Sequence, residues 1–151
     1  WIRLSCRLLK FSFFQTSHLC KSKIRGGYLN YASLNGAILR NSDLRGAHLY
    51  NTNLVKTDLR EANLTGCDLS GANLSAANLT GADLRWATFA YATLEETNFE
   101  NCILGNTIFG NNDLSSAVGL TKTRHAGPST IGTDCIKRSK PHTLNGSSRT
   151  V

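Results

Sequence analysis

The chain has 151 residues, the length of a single domain, and a formal net charge of +7. The charge is divided unevenly: residues 1–26 have six basic and no acidic residues, residues 27–119 have five basic and nine acidic, and residues 120–151 have six basic and one acidic. The central region is therefore mildly acidic, and we expect no direct nucleic-acid binding by it despite the positive total.

Residues 1–26 are apolar and basic, and Lys10 interrupts their apolar run. The run is too short for a transmembrane helix and lacks a signal-peptide cleavage site. Two interpretations stay open: the segment caps the structure that follows it, or it contacts a membrane or an acidic partner as a basic amphipathic segment. Because the sequence has no methionine and begins with Trp1, we also expect a fragment of a larger protein, in which this segment is the remnant of an upstream region.

A large apolar residue recurs at every fifth position from residue 29 to residue 114. These positions are Leu29, Leu34, Leu39, Leu44, Leu49, Leu54, Leu59, Leu64, Leu69, Leu74, Leu79, Leu84, Phe89, Leu94, Phe99, Leu104, Phe109 and Leu114. A small residue, most often Ala, lies two positions before each, and a polar residue lies between the two. In a helix a step of five rotates the side chain by about 140°, so no apolar stripe forms, and in a strand an odd step alternates the faces. The period fits a short extended piece followed by a corner, and Asn-Gly, Thr-Gly and Ser-Gly pairs occupy several corners.

These A-(D/N)-L-x-x units resemble the pentapeptide-repeat family over residues 27–114. The resemblance implies an all-β fold, a right-handed quadrilateral β-helix of about four and a half coils, with four units in each coil. Inward side chains of successive coils then stack in columns, and the core of two sides consists of Leu29, Leu49, Leu69, Phe89 and Phe109, and of Leu34, Leu54, Leu74 and Leu94. We expect the array to occupy residues 27–119, since Gly119 takes the place of the next large residue.

Exposed aromatic residues collect on one side of the implied square. They are Tyr28, Tyr31, Tyr50 and Tyr91, joined by His48 and, at the preceding corner, by Trp86. Tyrosine and tryptophan are enriched in protein interfaces, so this side is a candidate interaction face. Aromatic side chains also lie on β-surfaces that bind nothing, and the sequence leaves both interpretations open.

A second surface feature is an acidic patch at Glu95, Glu96 and Glu100, near the end of the array. Some pentapeptide-repeat proteins mimic the shape and charge of DNA, bind type II topoisomerases such as gyrase, and inhibit them or protect them from quinolones. The resemblance makes this mimicry an alternative function. Mimicry needs a sustained negative stripe, and here basic residues interrupt the acidic ones.

Residues 120–151 form a basic polar tail, which we expect to be largely disordered. Its first part, from His125 to Asp134, resembles the connector that leads to a Toll/interleukin-receptor-type domain in bacterial multidomain proteins.

Nothing in the sequence indicates catalysis. The four histidines are scattered, there is no glycine-rich phosphate loop, and the five cysteines show neither CxxC pairs nor metal-ligand spacing. We therefore expect no catalytic residue, no cofactor and no metal, and the cysteine pattern favours a reducing, cytoplasmic location. The sequence predicts a non-catalytic interaction or rigid scaffold module of a larger bacterial protein, with an unidentified protein partner.

Overall fold

The computed structural model describes residues 15–132, and their backbone winds into a solenoid of parallel coils. Paired positions are offset by four of the five-residue units: His18 pairs with Ile38, Asp43 with Asn63, and the series continues to Asn98 with Val118. Since each unit forms one side, an offset of four units gives each coil four sides. The right-handed quadrilateral β-helix that the sequence predicted is confirmed.

We name the four sides in chain order by the outward residues at their centres. Side A is centred on Tyr28, His48, Asp68, Thr88 and Ile108, side B on Ser33, Asn53, Asn73 and Thr93, side C on His18, Ile38, Asp58, Asn78, Asn98 and Val118, and side D on Lys23, Asp43, Asn63, Asp83 and Ile103. Side C is therefore opposite side A. Along side A the coils are numbered one to five, from Tyr28 to Ile108.

Each corner is a tight turn closed by a backbone hydrogen bond. The Ala32 amide donates to the Leu29 carbonyl at 3.0 Å, and the same bond recurs around the coils. The second corner residue has a positive φ, which glycine and asparagine adopt at the least cost. Gly46, at φ +64°, and Asn51, at φ +53°, are typical. This requirement explains why Gly and Asn recur at the second corner position.

The interior of the solenoid receives two side chains from every unit, one small and one large. All nine side chains predicted for the core of sides A and B are buried, and Leu69 is completely inaccessible. In the last coils phenylalanines fill the interior: the Phe89 and Phe109 rings are stacked with centroids 5.2 Å apart, and Phe99 meets both rings edge-on. Burial of each large side chain contributes about 2 kcal/mol to the free energy of unfolding.

Threonine, cysteine and asparagine at the small inward position hydrogen-bond to the coil before them, whereas the buried hydroxyls of Ser22 and Ser42 have no hydrogen-bond partner within residues 15–132. The Thr52 hydroxyl donates to the carbonyl of Leu29 at 2.9 Å, and the Cys67 thiol donates to the carbonyl of Leu44 at 3.0 Å. The Asn112 amide donates to two carbonyls, those of Phe89 and Ala92. These bonds allow threonine, cysteine and asparagine to replace alanine inside the solenoid.

The N-terminal boundary differs from the prediction, because the coils begin before residue 27. Leu19 and Ile24 are buried in the five-residue phase of the later leucines, and Lys23 pairs with Asp43. Residues 15–26 are therefore part of the first coil and not a separate cap. Leu19 and Ile24 keep the period of the later leucines, with Ser17 and Ser22 at the small position that Ser42 takes in a later unit. Residues 1–14 lie outside the described part.

The array ends in a closing segment with its own short elements. Strands β1 (Ile103–Leu104) and β2 (Ile108–Phe109) pair in parallel with β3 (Arg124–His125) and β4 (Thr130–Ile131), and a 3₁₀ turn spans Leu120–Lys122. Ile103 pairs with Arg124, one position beyond a full coil, and Ile108 pairs with Thr130, two positions beyond it. The strict period is therefore lost in this segment.

Gly119, where the array was predicted to end, brings its backbone close to the coil beneath. Its φ is +77°, and a Cβ there would lie 2.7 Å from the Glu100 amide nitrogen. The tail after Gly119 was expected to be disordered, but within residues 120–132 it forms the 3₁₀ turn and the paired strands β3 and β4. Residues 133–151, and with them the rest of that prediction, lie outside the described part.

Candidate interaction surface

Side A and its corner with side B carry almost no charge. Asp68 is the only charged residue in the ranges 26–31, 46–51, 66–71, 86–91 and 106–111, whereas Arg25, Arg45 and Arg85 occupy the first position of the corner between sides D and A. All other lysine, arginine, aspartate and glutamate residues of the described part lie on the remaining surface. Depletion of charge is the compositional feature that distinguishes the centre of a protein interface from ordinary surface.

The first two coils of side A carry the N-terminal aromatic cluster, which consists of Tyr28, Tyr31, His48 and Tyr50. The Tyr28 and His48 rings are stacked, with centroids 4.6 Å apart and planes 5° apart. The Tyr31 and Tyr50 rings meet edge-to-face at 5.6 Å. The coil-to-coil register produces both contacts, because it places positions 28 and 48 directly above one another on the sheet.

The fourth and fifth coils carry the C-terminal apolar cluster, which consists of Trp86, Tyr91 and Ile108. Trp86 and Tyr91 lie at the two corners of side A, with exposed fractions of 64% and 69%. Ile108, 43% exposed, lies at the centre of the side. Sequence reasoning missed Ile108, although stepping one full coil at a time from position 28 reaches it. The third coil, with Asp68 and Ser70, separates this cluster from the N-terminal aromatic cluster.

Among residues 15–132, most exposed large hydrophobic side chains lie on side A. Only two lie elsewhere, Val118 on side C and Ile131 in the closing segment. The structure therefore brings all six predicted residues of the candidate interaction face to one side, in two clusters.

Three of the aromatic residues hold a backbone conformation that suits glycine. Tyr31, Trp86 and Tyr91 have φ of +62°, +62° and +60°. The equivalent corners of other coils hold glycine or asparagine: Gly26, Gly46, Gly66 and Asn106 for Trp86, and Asn51, Gly71 and Asn111 for the two tyrosines. An ordinary L-residue pays about 1–2 kcal/mol for this conformation. Other large side chains hold the same conformation at corners of the remaining sides, such as Lys56 at φ +55° and Glu61 at φ +57°, so the aromatic residues are distinguished by their exposed apolar surface and not by backbone strain.

The aspartates of sides C and D are neutralised by arginines. Asp43 pairs with Arg25 and Arg45, and Asp58 pairs in the same way with two arginines of its side. Desolvation acts to raise the pKa of Asp83, but hydrogen bonds and the charge of Arg85 outweigh it and hold that pKa below its ordinary value. These exposed pairs contribute little to stability, but they remove the negative charge that these sides would present.

The predicted acidic patch is not a continuous stripe. Glu100 is paired with Lys122 of the closing segment at 2.7 Å, and it belongs to side C. Glu95 and Glu96 lie at the corner between sides B and C. The patch and the candidate interaction face are thus on different surfaces.

No group of three or more His, Cys, Asp or Glu side chains between residues 15 and 132 could hold a metal ion. Burial raises the pKa of the Cys67 and Cys102 thiols from 9.0 to about 12, which suppresses thiolate chemistry. Within the same range no helix is long and apolar enough to cross a membrane.

Comparison with known proteins agrees with this architecture. A family profile described as pentapeptide repeats matches residues 28–66 and 67–106. No curated protein sequence matches significantly. Among solved structures, a pentapeptide repeat protein of the Arabidopsis thaliana thylakoid lumen is 32% identical, with a TM-score of 0.60 over 62% of this chain and 66% of that one.

Two further solved structures are similar. HetL of the cyanobacterium Nostoc, a pentapeptide repeat protein involved in heterocyst differentiation regulation, is 25% identical over 79% of this chain, with a TM-score of 0.50. The chain spans 61% of the length of HetL. QnrB1, a plasmid-mediated fluoroquinolone resistance protein, is 15% identical over 82% of this chain and 78% of that one, with a TM-score of 0.38, which is too distant to support a functional argument. The family match extends over more than half of the sequence, and the chain belongs to the pentapeptide-repeat family.

Proposed function

We propose that this protein is a non-catalytic protein-interaction module and that side A is its contact surface. The observation that carries the proposal is the composition of that side: six exposed aromatic or apolar side chains, His48 and one charged residue on an otherwise charged solenoid. Aromatic residues provide most of the binding energy at protein interfaces, and a rigid β-helix loses little conformational entropy when it binds.

The scaffold role follows from the same construction. Every coil rests on the next through backbone hydrogen bonds, such as Leu49 N–H to the Asp68 carbonyl at 2.8 Å. The two clusters of side A are therefore held at a fixed separation. We extend the proposal to a cytoplasmic bacterial protein of several domains, and the free thiols of Cys20, Cys67 and Cys102 are compatible with that location.

Affinity capture with matched variants tests the contact surface. The first variant combines Trp86→Asn with Tyr91→Asn, because asparagine occupies equivalent corners and preserves the fold. The control is Val118→Ser, which removes an exposed apolar side chain from side C. We expect a specific protein partner to be captured by the parent and by the control and to be lost with the double variant. Equal capture by all three proteins would contradict the assignment of side A.

DNA mimicry is the alternative function. The observation that favours it is an acidic excess in the second half of the described part, where residues 67–132 carry six acidic and three basic residues. The ion pairs of Asp43, Asp58 and Asp83 weigh against it, because they interrupt the negative potential that a DNA mimic needs. A gyrase supercoiling assay separates the two functions. Inhibition at submicromolar protein that is abolished by Glu95→Gln with Glu96→Gln would establish mimicry, and absence of inhibition would leave the interaction module.

A further inference from the structure

We propose that side A binds a second copy of this chain, in an antiparallel pair related by a two-fold axis at the third coil. The inference rests on the proposed function, since it uses the same surface, and it names one partner for that surface. In such a pair the first coil of one copy faces the fifth coil of the other, and the second coil faces the fourth. The N-terminal aromatic cluster of each copy then meets the C-terminal apolar cluster of its partner.

The corner between sides D and A supplies a projection and a matching depression. Trp86 projects from the fourth coil, and the second coil of the same corner holds Gly46. The two-fold axis places Trp86 of one copy opposite Gly46 of the other, because each column of one copy faces the same column of the second copy. A Cβ built on Gly46 would meet nothing within 4 Å, and the same is true of its neighbours Gly26 and Gly66. The open glycine column can therefore receive the indole ring of the second copy.

The rest of the side is complementary under the same operation. At the centre Ile108 of the fifth coil faces Tyr28 of the first, and at the opposite corner Tyr91 of the fourth coil faces Asn51 of the second, which is the chain neighbour of Tyr50. Aromatic pairs and aromatic–aliphatic contacts are the usual content of an interface centre. Trp86 and Ile108 thus have an open and an apolar position opposite them, and Tyr91 lies beside an aromatic residue of the second copy.

The charges on the flanking sides favour the antiparallel orientation. Residues 15–66 carry seven basic and three acidic residues, whereas residues 67–132 carry three basic and six acidic. The solenoid is therefore positive at one end and negative at the other. Antiparallel packing places unlike ends side by side, and parallel packing would place like ends together. At the corner between sides D and A the same packing also places Arg45 opposite Arg85 of the second copy, each of them paired with an aspartate of its own chain.

Two features predict that the association is weak and concentration-dependent. Five coils at the β-sheet spacing give a face only about 20 Å long, which is small for a stable dimer. The third coil also faces itself, so the two Asp68 carboxylates approach each other across the axis. The Asp68 oxygen accepts the Ser70 amide at 3.0 Å, and the Asn73 side-chain oxygen accepts the Ser75 amide at the same distance. Asp68→Asn therefore keeps the local bond and removes the repulsion.

Sedimentation velocity of the purified full chain, from roughly 1 µM to about 1 mM, measures this association over the range of weak interfaces. We expect a monomer–dimer equilibrium that Trp86→Ala weakens at least tenfold. Gly46→Asn should weaken it by a similar factor, because asparagine accepts positive φ but fills the depression. The matched control is Gly81→Asn, at a corner of the same backbone type between sides C and D. It should leave the dissociation constant within twofold, and Asp68→Asn should lower it several-fold.

A photo-crosslinking residue in place of Trp86 tests the orientation. It should label the segment around Gly46 of the second copy. A strictly monomeric protein at the highest concentration would overturn the proposal, and so would a dimer that Trp86→Ala leaves unchanged or a crosslink to side C. If the chain is monomeric while the Trp86 and Tyr91 variants still lose a captured partner, only the self-association is wrong. If the chain is monomeric and the Trp86 and Tyr91 variants also capture the partner as well as the parent does, side A is not a contact surface.

Discussion

Replacement of Leu69 by alanine tests whether the interior carries the stability of the solenoid. Leu69 is inaccessible to solvent and lies in the third coil, between Leu49 and Phe89 of its column. Three carbon atoms are removed, and at about 0.8 kcal/mol per buried methylene their transfer costs about 2.4 kcal/mol. The stacked coils cannot close inward because their spacing is fixed by the backbone bonds, so a cavity remains and adds about 1–2 kcal/mol.

We expect the free energy of unfolding to fall by about 3–5 kcal/mol. Urea denaturation followed by circular dichroism measures the change, and the control Ser70→Ala, at a partly exposed corner position of the same coil, should stay within about 0.5 kcal/mol of the parent. A loss below about 1 kcal/mol for Leu69→Ala, with an unchanged denaturant slope, would refute the reasoning, since it would mean that the column is not tightly packed.

Three further perturbations have definite outcomes. Insertion of one residue beside Gly71 should abolish the cooperative melt, because it turns every later inward side chain outward; a parent-like melting curve would contradict the repeat phase. Trp86→Asn should raise stability by about 1 kcal/mol in urea denaturation by relieving the positive φ, and a loss of stability would show that the indole packs on its own chain. The Cys67 and Cys102 thiols have pKa values raised from 9.0 to about 12 by burial. The unfolded chain therefore releases their protons first, and stability should fall between about pH 9 and pH 12. Alanine at both cysteines should reduce that fall in pH-dependent denaturation, and an identical fall would contradict it.

The sequence was sufficient for the repeating unit, because the period of five and the two inward positions of each unit follow from side-chain size alone. The number of sides came from the family resemblance, and the backbone pairs between successive coils now show it directly. The first coil was missed although Leu19 and Ile24 keep the period, because the apolar and basic composition of residues 1–26 favoured a separate segment. The closing segment was missed because its pairs slip one and then two positions beyond a full coil, which follows no repeat.

The candidate interaction face was only partly visible in the sequence. Stepping along the sequence one full coil at a time placed the aromatic residues on one side. The same step from position 28 also reaches Ile108 and would have completed the set. The separation into two clusters follows from the polar third coil at Asp68. The pairing of Glu100 with Lys122 could not be predicted, because it depends on how the closing segment turns back onto the last coil.

Duplication of one pentapeptide offers a direct test of whether a single side of the solenoid is the contact surface. A second copy of residues 72–76 keeps every side chain in its inward or outward phase. It rotates Trp86, Tyr91 and Ile108 from side A to side B, away from the N-terminal aromatic cluster. Duplication of the full coil, residues 57–76, restores both clusters to one side and serves as the matched control.

Thermal melting and capture of the partner should be measured on both proteins. We expect both to melt cooperatively near the parent temperature, the coil duplicate to retain binding, and the pentapeptide duplicate to lose it. Undiminished binding by a folded pentapeptide duplicate would show that the contact surface is not side A.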